Sequence, residues 1–189
     1  EFGRNLLARV VHGSRMSLAV SFSSVAMSLA GGGFLGAISG YYGGKVDNVI
    51  MRITDILLAI PMTLFAIVIV AALGANTRNL AFALAASSVP IFARVVRGAV
   101  ITVRDVEFVE AARAIGATNR TIICSHIIPN CLSPIIVQVT LRIASAIYNT
   151  AALSFLGMGV QAPAPEWGGR PSGCCRWPPA GRTVLPPLP

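Results

Sequence analysis

Hydrophobic positions fall into four long runs that are separated by short polar segments. The runs cover residues 16–39, 49–73, 80–100 and 135–160. A helix that crosses a bilayer needs roughly 20 mostly apolar residues, and each run is long enough. Backbone groups in lipid must be hydrogen-bonded within their own segment, so each run predicts a helix. The pattern therefore predicts an all-α, polytopic transmembrane helical bundle with about four spans in residues 16–168.

The first two runs carry residues that affect helix packing and shape. The first is rich in small residues, which let helix backbones approach closely in lipid; they include Gly31, Gly32, Gly33 and Gly36. Pro61 interrupts the second run and predicts a kink, because proline removes a backbone donor. Residues 1–15 predict a short amphipathic helix, either at the membrane interface or as a simple connector. The first residue is Glu, which fits a fragment or a processed product.

Composition and charge support a membrane protein. Apolar residues make up 54% of the chain and charged residues 12%, about half the usual charged share of a soluble domain. The net charge of +8 does not predict nucleic-acid binding, because the basic residues are scattered between apolar runs. Short loops with more Lys and Arg face the cytoplasm. If the segment from Arg94 to Pro129 is cytoplasmic, that side of the membrane holds more basic residues than the other. The cytoplasmic set is Lys45, Arg52, Arg94, Arg97, Arg104, Arg113 and Arg120, and the outer set is Arg4, Arg9, Arg15 and Arg78.

Candidate chemistry is sparse. Cys124 and Cys131 flank His126, but a zinc site needs a second pair of ligands. No second pair occurs before residues 169–189, which contain Cys174 and Cys175. The chain lacks the Gly-x-Ser-x-Gly, His-Glu-x-x-His and phosphate-loop motifs. We therefore expect no catalytic residue and no metal.

Residues 169–189 differ from the rest of the chain. They are rich in Gly, Pro and Arg, contain paired cysteines and show no periodicity. This density of proline excludes a spanning helix. The segment is either a disordered terminus or the translation of a GC-rich gene in a wrong reading frame, and its composition favours the second interpretation. We assign this tail no function.

The segment between the third and fourth runs, residues 101–130, is polar enough to leave the membrane but keeps helical periodicity. Gly116 interrupts the pattern, a second helical stretch runs from Thr118 to Ile128, and Pro129 is expected to end it. The prediction is a helix–turn–helix unit outside the bilayer. Ala111, Ala112 and Gly116 form a patch of small residues beside the charged Glu110. Small side chains let another protein approach the backbone closely, and the charge can fix its register through an ion pair.

This segment resembles the "EAA" loop of ABC importer permeases. The residues are Glu110-Ala111-Ala112-x-x-x-Gly116 and, after nine more, His126-Ile127-Ile128-Pro129, against a family pattern of Glu-Ala-Ala-x3-Gly-x9-Ile-x-Leu-Pro. The sequence departs from it at His126 and Ile128. Further segments resemble the C-type subunit of the dipeptide, oligopeptide and nickel permeases, so that the similarity covers about residues 3–168; they are Gly40-Tyr41-Tyr42-Gly43-Gly44, Ala93-Arg94-x-Val96-Arg97-Gly98 and Ala152-Leu153-Ser154-Phe155-Leu156-Gly157.

The resemblance implies a multi-pass subunit in a bacterial inner membrane that forms the translocation pathway for dipeptides or oligopeptides in ATP-driven, binding-protein-dependent import. In that family the EAA loop is a coupling helix that docks on a cytoplasmic ATPase, which implies this role for Glu110, Ala111, Ala112, Gly116 and Pro129. The implied partners are a second, homologous permease, two ATPase subunits that bind the ATP, a periplasmic or lipid-anchored solute-binding protein, and membrane lipid. The family also has one further helix on each side of this region.

Some polar residues lie inside or beside the predicted spans. Arg142 and Asn149 are seven residues apart on one helix face, and either line a translocation path or pair with a neighbouring helix. Arg52 and Asp55 are expected to pair with each other. Three alternatives stay open: a nickel-type permease, a truncated remnant without function, and a channel or secondary transporter. The last is less favoured because Asp55 is the only acidic residue within a span.

Overall fold

A computed structural model describes residues 6–159 and Trp167. These residues contain helices and no strand, which confirms the all-α prediction. The predicted tail, residues 169–189, lies outside the described residues. In chain order the elements are α1 (Leu6–Tyr42), α2 (Gly44–Leu58), α3 (Met62–Leu73), α4 (Thr77–Arg104), α5 (Glu107–Ala114), α6 (Asn119–Thr121), a π-helix (Ile122–Ile127), α7 (Ile128–Asn130) and α8 (Leu132–Phe155).

Three helices in the described part of the chain are long and apolar enough to cross a membrane alone: α1, α4 and α8. They match the first, third and fourth predicted spans. Helix α4 is the central one, because it packs against α1, α2, α3 and α8. The transmembrane bundle predicted from the apolar runs is therefore confirmed, with α4 at its centre.

The second predicted span is broken at Pro61 and is not one kinked helix. Helices α2 and α3 meet at an angle of 85° across a short break. Pro61 stands just before α3 with φ −53° and ψ 129°, and proline also disfavours helical backbone at the residue before it. Helix α2 has 15 residues and α3 has 12, about 22 and 18 Å, so neither crosses a hydrocarbon core of about 30 Å alone. Pro61 therefore breaks the helix, where the sequence predicted only a kink.

Small residues on α1 let its backbone touch that of α4. A Cβ atom added to Gly32 would lie 2.5 Å from the carbonyl oxygen of Val89, and one added to Gly36 would lie 2.5 Å from that of Ala93. Gly33 points elsewhere, since its added Cβ would meet only a Leu29 methyl group at 4.0 Å. Close packing through small residues is thus confirmed for Gly32 and Gly36 but not for Gly33.

Buried serines continue this small-residue face toward the start of α1. Ser21 donates to the carbonyl of Ser17 at 2.8 Å, and Ser24 donates to that of Ser21 at 2.9 Å. Ser28 likewise donates to Val25 at 3.0 Å. Because these hydroxyls are hydrogen-bonded within their own helix, α1 can bury a polar stripe without a partner from another helix.

Two ion pairs hold α2 against α4. Arg97 donates from Nε and Nη2 to the two carboxylate oxygens of Asp47, both at 2.5 Å, and Ser39 of α1 donates to the same carboxylate. Asp55 pairs with Arg94 at 2.6 Å. The predicted pair between Arg52 and Asp55 was therefore wrong, because the neighbouring helix presents a guanidinium to Asp55.

The ends of the outer spans differ from the predicted bounds. Helix α1 already begins at Leu6 and continues through residues 6–15 without a break; the interfacial placement of residues 1–15 stays a prediction. Helix α8 ends at Phe155, five residues before the predicted end, and Gly157 follows with φ +82°. A glycine in the left-handed region is a common helix stop.

Candidate functional site

The segment between α4 and α8 folds onto one end of the bundle as two helical arms. The first arm is α5, and the second comprises residues 119–130. One apolar cluster joins both arms to the ends of α1 and α4. From the bundle it takes Ala37, Tyr41, Val96 and Val100, and from the loop Val109, Ala112, Ile122, Ile127 and Cys131. The loop is therefore packed on the ends of two spans.

Gly116 produces the turn between the arms. Its φ is +80°, a conformation that costs glycine little and other residues more. The amide of Gly116 donates to Arg113 at 3.0 Å, and the amide of Ala117 donates to Ala112 at 3.1 Å. This pair of hydrogen bonds is the Schellman arrangement that closes a helix. The predicted interruption at Gly116 is thus confirmed as a helix end.

The structure divides the Glu-Ala-Ala triplet between two faces. Ala112 is 6% exposed and packs in the cluster beside Val109, whereas Glu110 and Ala111 are exposed. Helical spacing places Glu107 and Ala114 on the same outward face as Glu110 and Ala111. This outward face therefore combines two small residues with two carboxylates.

Sequence reasoning missed two apolar side chains that border the outward face. Ile115 is 85% exposed and Phe108 is 40% exposed. Both read as ordinary positions of an amphipathic helix until the burial of Val109 and Ala112 shows which side of α5 faces the bundle. Both side chains are therefore accessible from the solvent side of α5.

Pro129 does not end the second arm as expected. It lies inside α7, and helical backbone continues to Asn130 before α8 begins at Leu132. The preceding six residues, Ile122–Ile127, form a π-helix, and such wide turns often occur where a helix must absorb a local disruption. Pro129 supplies one, since it cannot donate to the preceding turn.

The two predicted pathway residues on α8 have different surroundings. Asn149 is 8% exposed and donates to the carbonyl of Ser145 in its own helix at 2.9 Å. Arg142 is partly buried and its Nη1 lies 4.0 Å from the sulfur of Met62, at the start of α3. The side-chain amide of Asn149 is thus hydrogen-bonded within α8, whereas the guanidinium of Arg142 contacts α3.

The cysteines of the loop lie in contrasting environments. Cys124 is exposed and Cys131 is buried. Burial raises the pKa of the Cys131 thiol, because a thiolate loses its hydration there. Across residues 6–159, His, Cys, Asp and Glu side chains form no group of three that could hold a metal ion.

Comparison with known proteins identifies the family. The model of the family described as "Binding-protein-dependent transport system inner membrane component" matches residues 32–173. The dipeptide transport system permease protein DppC of Alkalihalophilus pseudofirmus is 52% identical over 168 residues, which are 89% of this chain and 55% of that protein. The di/tripeptide permease protein DppC of Pseudomonas aeruginosa is 45% identical over 168 residues, with the same shares.

A third relative is the glutathione transport system permease protein GsiD of Escherichia coli, 46% identical over 166 residues, 88% of this chain and 55% of that protein. The chain spans about half the length of these curated relatives.

Solved structures show the same fold. An inward-facing form of the MetNI methionine ABC transporter aligns with a TM-score of 0.74 at 20% identity, covering 84% of this chain and 79% of that one. An amino acid ABC transporter with histidines aligns with a TM-score of 0.62 at 19% identity, covering 86% and 75%. The family match includes α4, both arms and α8. The chain therefore belongs to the family of binding-protein-dependent transport system inner membrane components.

Proposed function

We propose that this chain is a permease subunit of an ATP-driven, binding-protein-dependent importer that moves peptides across a bacterial inner membrane. Within its two-armed loop, the outward face of the first arm is the contact with a cytoplasmic ATPase. The family and the membrane-spanning helices support the class of protein. The chain contributes helices to the translocation pathway, and ATP hydrolysis belongs to partner subunits.

The arrangement of the loop is the observation that carries this proposal. Its inward residues pack on the ends of α1 and α4 in one cluster. Its outward face offers Glu110 and Ala111, which lie on the solvent side of the same short helix. Only the apolar cluster therefore separates a partner on this face from the ends of α1 and α4. Packed interiors transmit displacement because they deform little.

The names of the relatives support peptides as the substrate class. They are dipeptide, di/tripeptide and glutathione permease proteins, and none of these names refers to nickel. We therefore favour a short peptide over a nickel chelate. A second permease, two ATPase subunits and a solute-binding protein complete the proposed assembly. The two permeases enclose the path, and the binding protein delivers the substrate on the outer side.

Arg142 is the stronger candidate for a pathway residue. Its guanidinium has donors beyond the one that faces Met62, and a cation within a span suits a peptide carboxylate. The side-chain amide of Asn149 is buried and bonded within α8. We therefore assign the substrate contact to Arg142 and a packing role to Asn149.

The orientation of the loop can be tested with the native cysteine of the second arm. With Cys131, Cys174 and Cys175 replaced by Ser, exposed Cys124 is the remaining thiol. We expect a membrane-impermeant maleimide to label Cys124 in inside-out vesicles and to leave it unlabelled in intact spheroplasts. Arg78→Cys, introduced at the opposite end of α4 in a background without Cys124, should give the reverse pattern. Labelling of Cys124 from outside would exclude the proposed contact with a cytoplasmic ATPase.

Docking can be tested by enlarging a small residue on the outward face. Ala111→Leu places a bulky side chain where the partner must approach, so we expect retention of the cognate ATPase during purification to fall at least tenfold, about 1.4 kcal/mol. Ser125→Leu is the matched control, since it adds similar bulk at an exposed position of the second arm. Equal retention by parent and Ala111→Leu would refute docking at this face, as would equal loss in both variants.

A further inference from the structure

Tyr41 lies in the last turn of α1 and contacts the loop. Its side chain is 7% exposed and belongs to the cluster that joins the loop to the bundle. The adjacent Tyr42 is 56% exposed, and the two rings meet edge to face with centroids 5.3 Å apart. Of the two tyrosines, Tyr41 is therefore the one buried beneath the loop.

Polar contacts join Tyr41 to both arms. Its hydroxyl donates to Oδ1 of Asn119 at 2.7 Å, at the start of the second arm. The guanidinium carbon of Arg113, in the first arm, lies 5.4 Å from the centre of the Tyr41 ring, within the range of a cation–π interaction. These two partners stand on opposite sides of the Gly116 turn, so one side chain of α1 spans the junction of the arms.

Two backbone hydrogen bonds end the first arm at this turn, but no side chain packs around Gly116 beyond its chain neighbours. Gly116 is exposed, and outside Ile115–Ala117 no heavy atom lies within 4 Å of the position that its Cβ would occupy. Glycine also has the widest choice of backbone angles. The relative orientation of the arms therefore depends on contacts that both arms share with the bundle. Tyr41 supplies such contacts through its ring and its hydroxyl.

We propose that Tyr41 is a positioning residue that fixes the two arms to each other and to α1, so that a displacement of the outward face moves the span instead of bending the loop at Gly116. The consequence for transport rests on the proposed function, in which an ATPase binds that face. The attachment of the arms does not depend on it. The two parts are therefore tested by separate measurements.

Cys131 reports on the attachment without any partner. It is 1% exposed in the same cluster, so N-ethylmaleimide reaches it only when the loop opens locally. With Cys124, Cys174 and Cys175 replaced by Ser, we expect Tyr41→Phe to raise its rate of modification in membranes about fivefold, the effect of one lost hydrogen bond. Asn119→Ala should do the same, and the double variant should add nothing, because both changes remove one contact.

Tyr42→Phe is the matched control and should leave the rate within about twofold of the parent, because this ring is mostly exposed and lost surface contacts cost little. An unchanged rate in Tyr41→Phe would overturn the proposal, as would additive effects of Tyr41→Phe and Asn119→Ala.

The consequence for transport is measured in proteoliposomes that contain the chain with its cognate permease and ATPase subunits. The readout is radiolabelled dipeptide imported per ATP hydrolysed. We expect Tyr41→Phe to lower this ratio several-fold while it retains as much ATPase as the parent. A parallel fall in ATPase retention and import at an unchanged ratio would indicate a purely structural role and overturn the transmission step. A parent chain that retains no ATPase would instead refute the proposed function, and the Cys131 measurement would still decide whether Tyr41 holds the arms.

Discussion

Gly36→Leu is expected to destabilise the bundle more than any other substitution considered for this protein. The added Cβ would lie 2.5 Å from the carbonyl oxygen of Ala93 and 2.9 Å from Cβ of Val96. Backbone atoms of α4 cannot rotate away as a flexible side chain can, so the two helices must separate. We expect a loss of about 3 kcal/mol, at the upper end of the range for overpacking, and a lower melting temperature in detergent.

Gly33→Leu is the control for Gly36→Leu. It makes the same change in the same helix, but the added Cβ would meet only a methyl group of Leu29 at 4.0 Å. Replacing glycine within a helix also removes an entropic cost of about 1 kcal/mol. We therefore expect Gly33→Leu to be neutral or slightly stabilising. Equal melting temperatures for the two variants would show that α1 and α4 do not touch through Gly36.

Asp47→Ala should have the second-largest effect. The Asp47 and Arg97 side chains are 14% and 31% exposed, and the guanidinium donates two hydrogen bonds to the carboxylate. Removing the carboxylate leaves Arg97 partly buried without its counter-charge and frees the hydroxyl of Ser39. Breaking a buried pair costs about 3–5 kcal/mol, and the partial exposure here reduces our expectation to about 2 kcal/mol. Thermal unfolding in lipid nanodiscs measures the loss.

Two further variants test whether burial of the Asp47–Arg97 pair and the unpaired charge of Arg97 cause the loss of stability. Asp55→Ala removes a carboxylate from the same helix, but Asp55 and Arg94 are 52% and 57% exposed, so the expected loss is below about 1 kcal/mol. The double variant Asp47→Ala with Arg97→Met should recover part of the stability, because no unpaired charge then remains. If Asp47→Ala and Asp55→Ala unfolded at the same temperature, the stronger role assigned to the Asp47–Arg97 pair would be wrong.

The position of the loop and its turn could be read from the sequence. Periodicity and Gly116 predicted two helical arms, and the structure contains them. The motif also indicated Glu110 and Ala111, which lie on the exposed face. It did not show that Ala112 points inward, because the motif does not reveal which side of α5 is buried. The docking role of this loop stays a prediction.

The sequence alone determined the approximate bounds of the apolar segments, because crossing a bilayer imposes length and composition on each segment separately. It also determined the glycine turn, which depends on the backbone of one residue. Tertiary structure decided what depends on neighbours distant in sequence. Asp55 pairs with Arg94 instead of Arg52, and Tyr41 meets Asn119, 78 residues away. No local pattern contains such contacts, since each requires two helices to pack in a particular register.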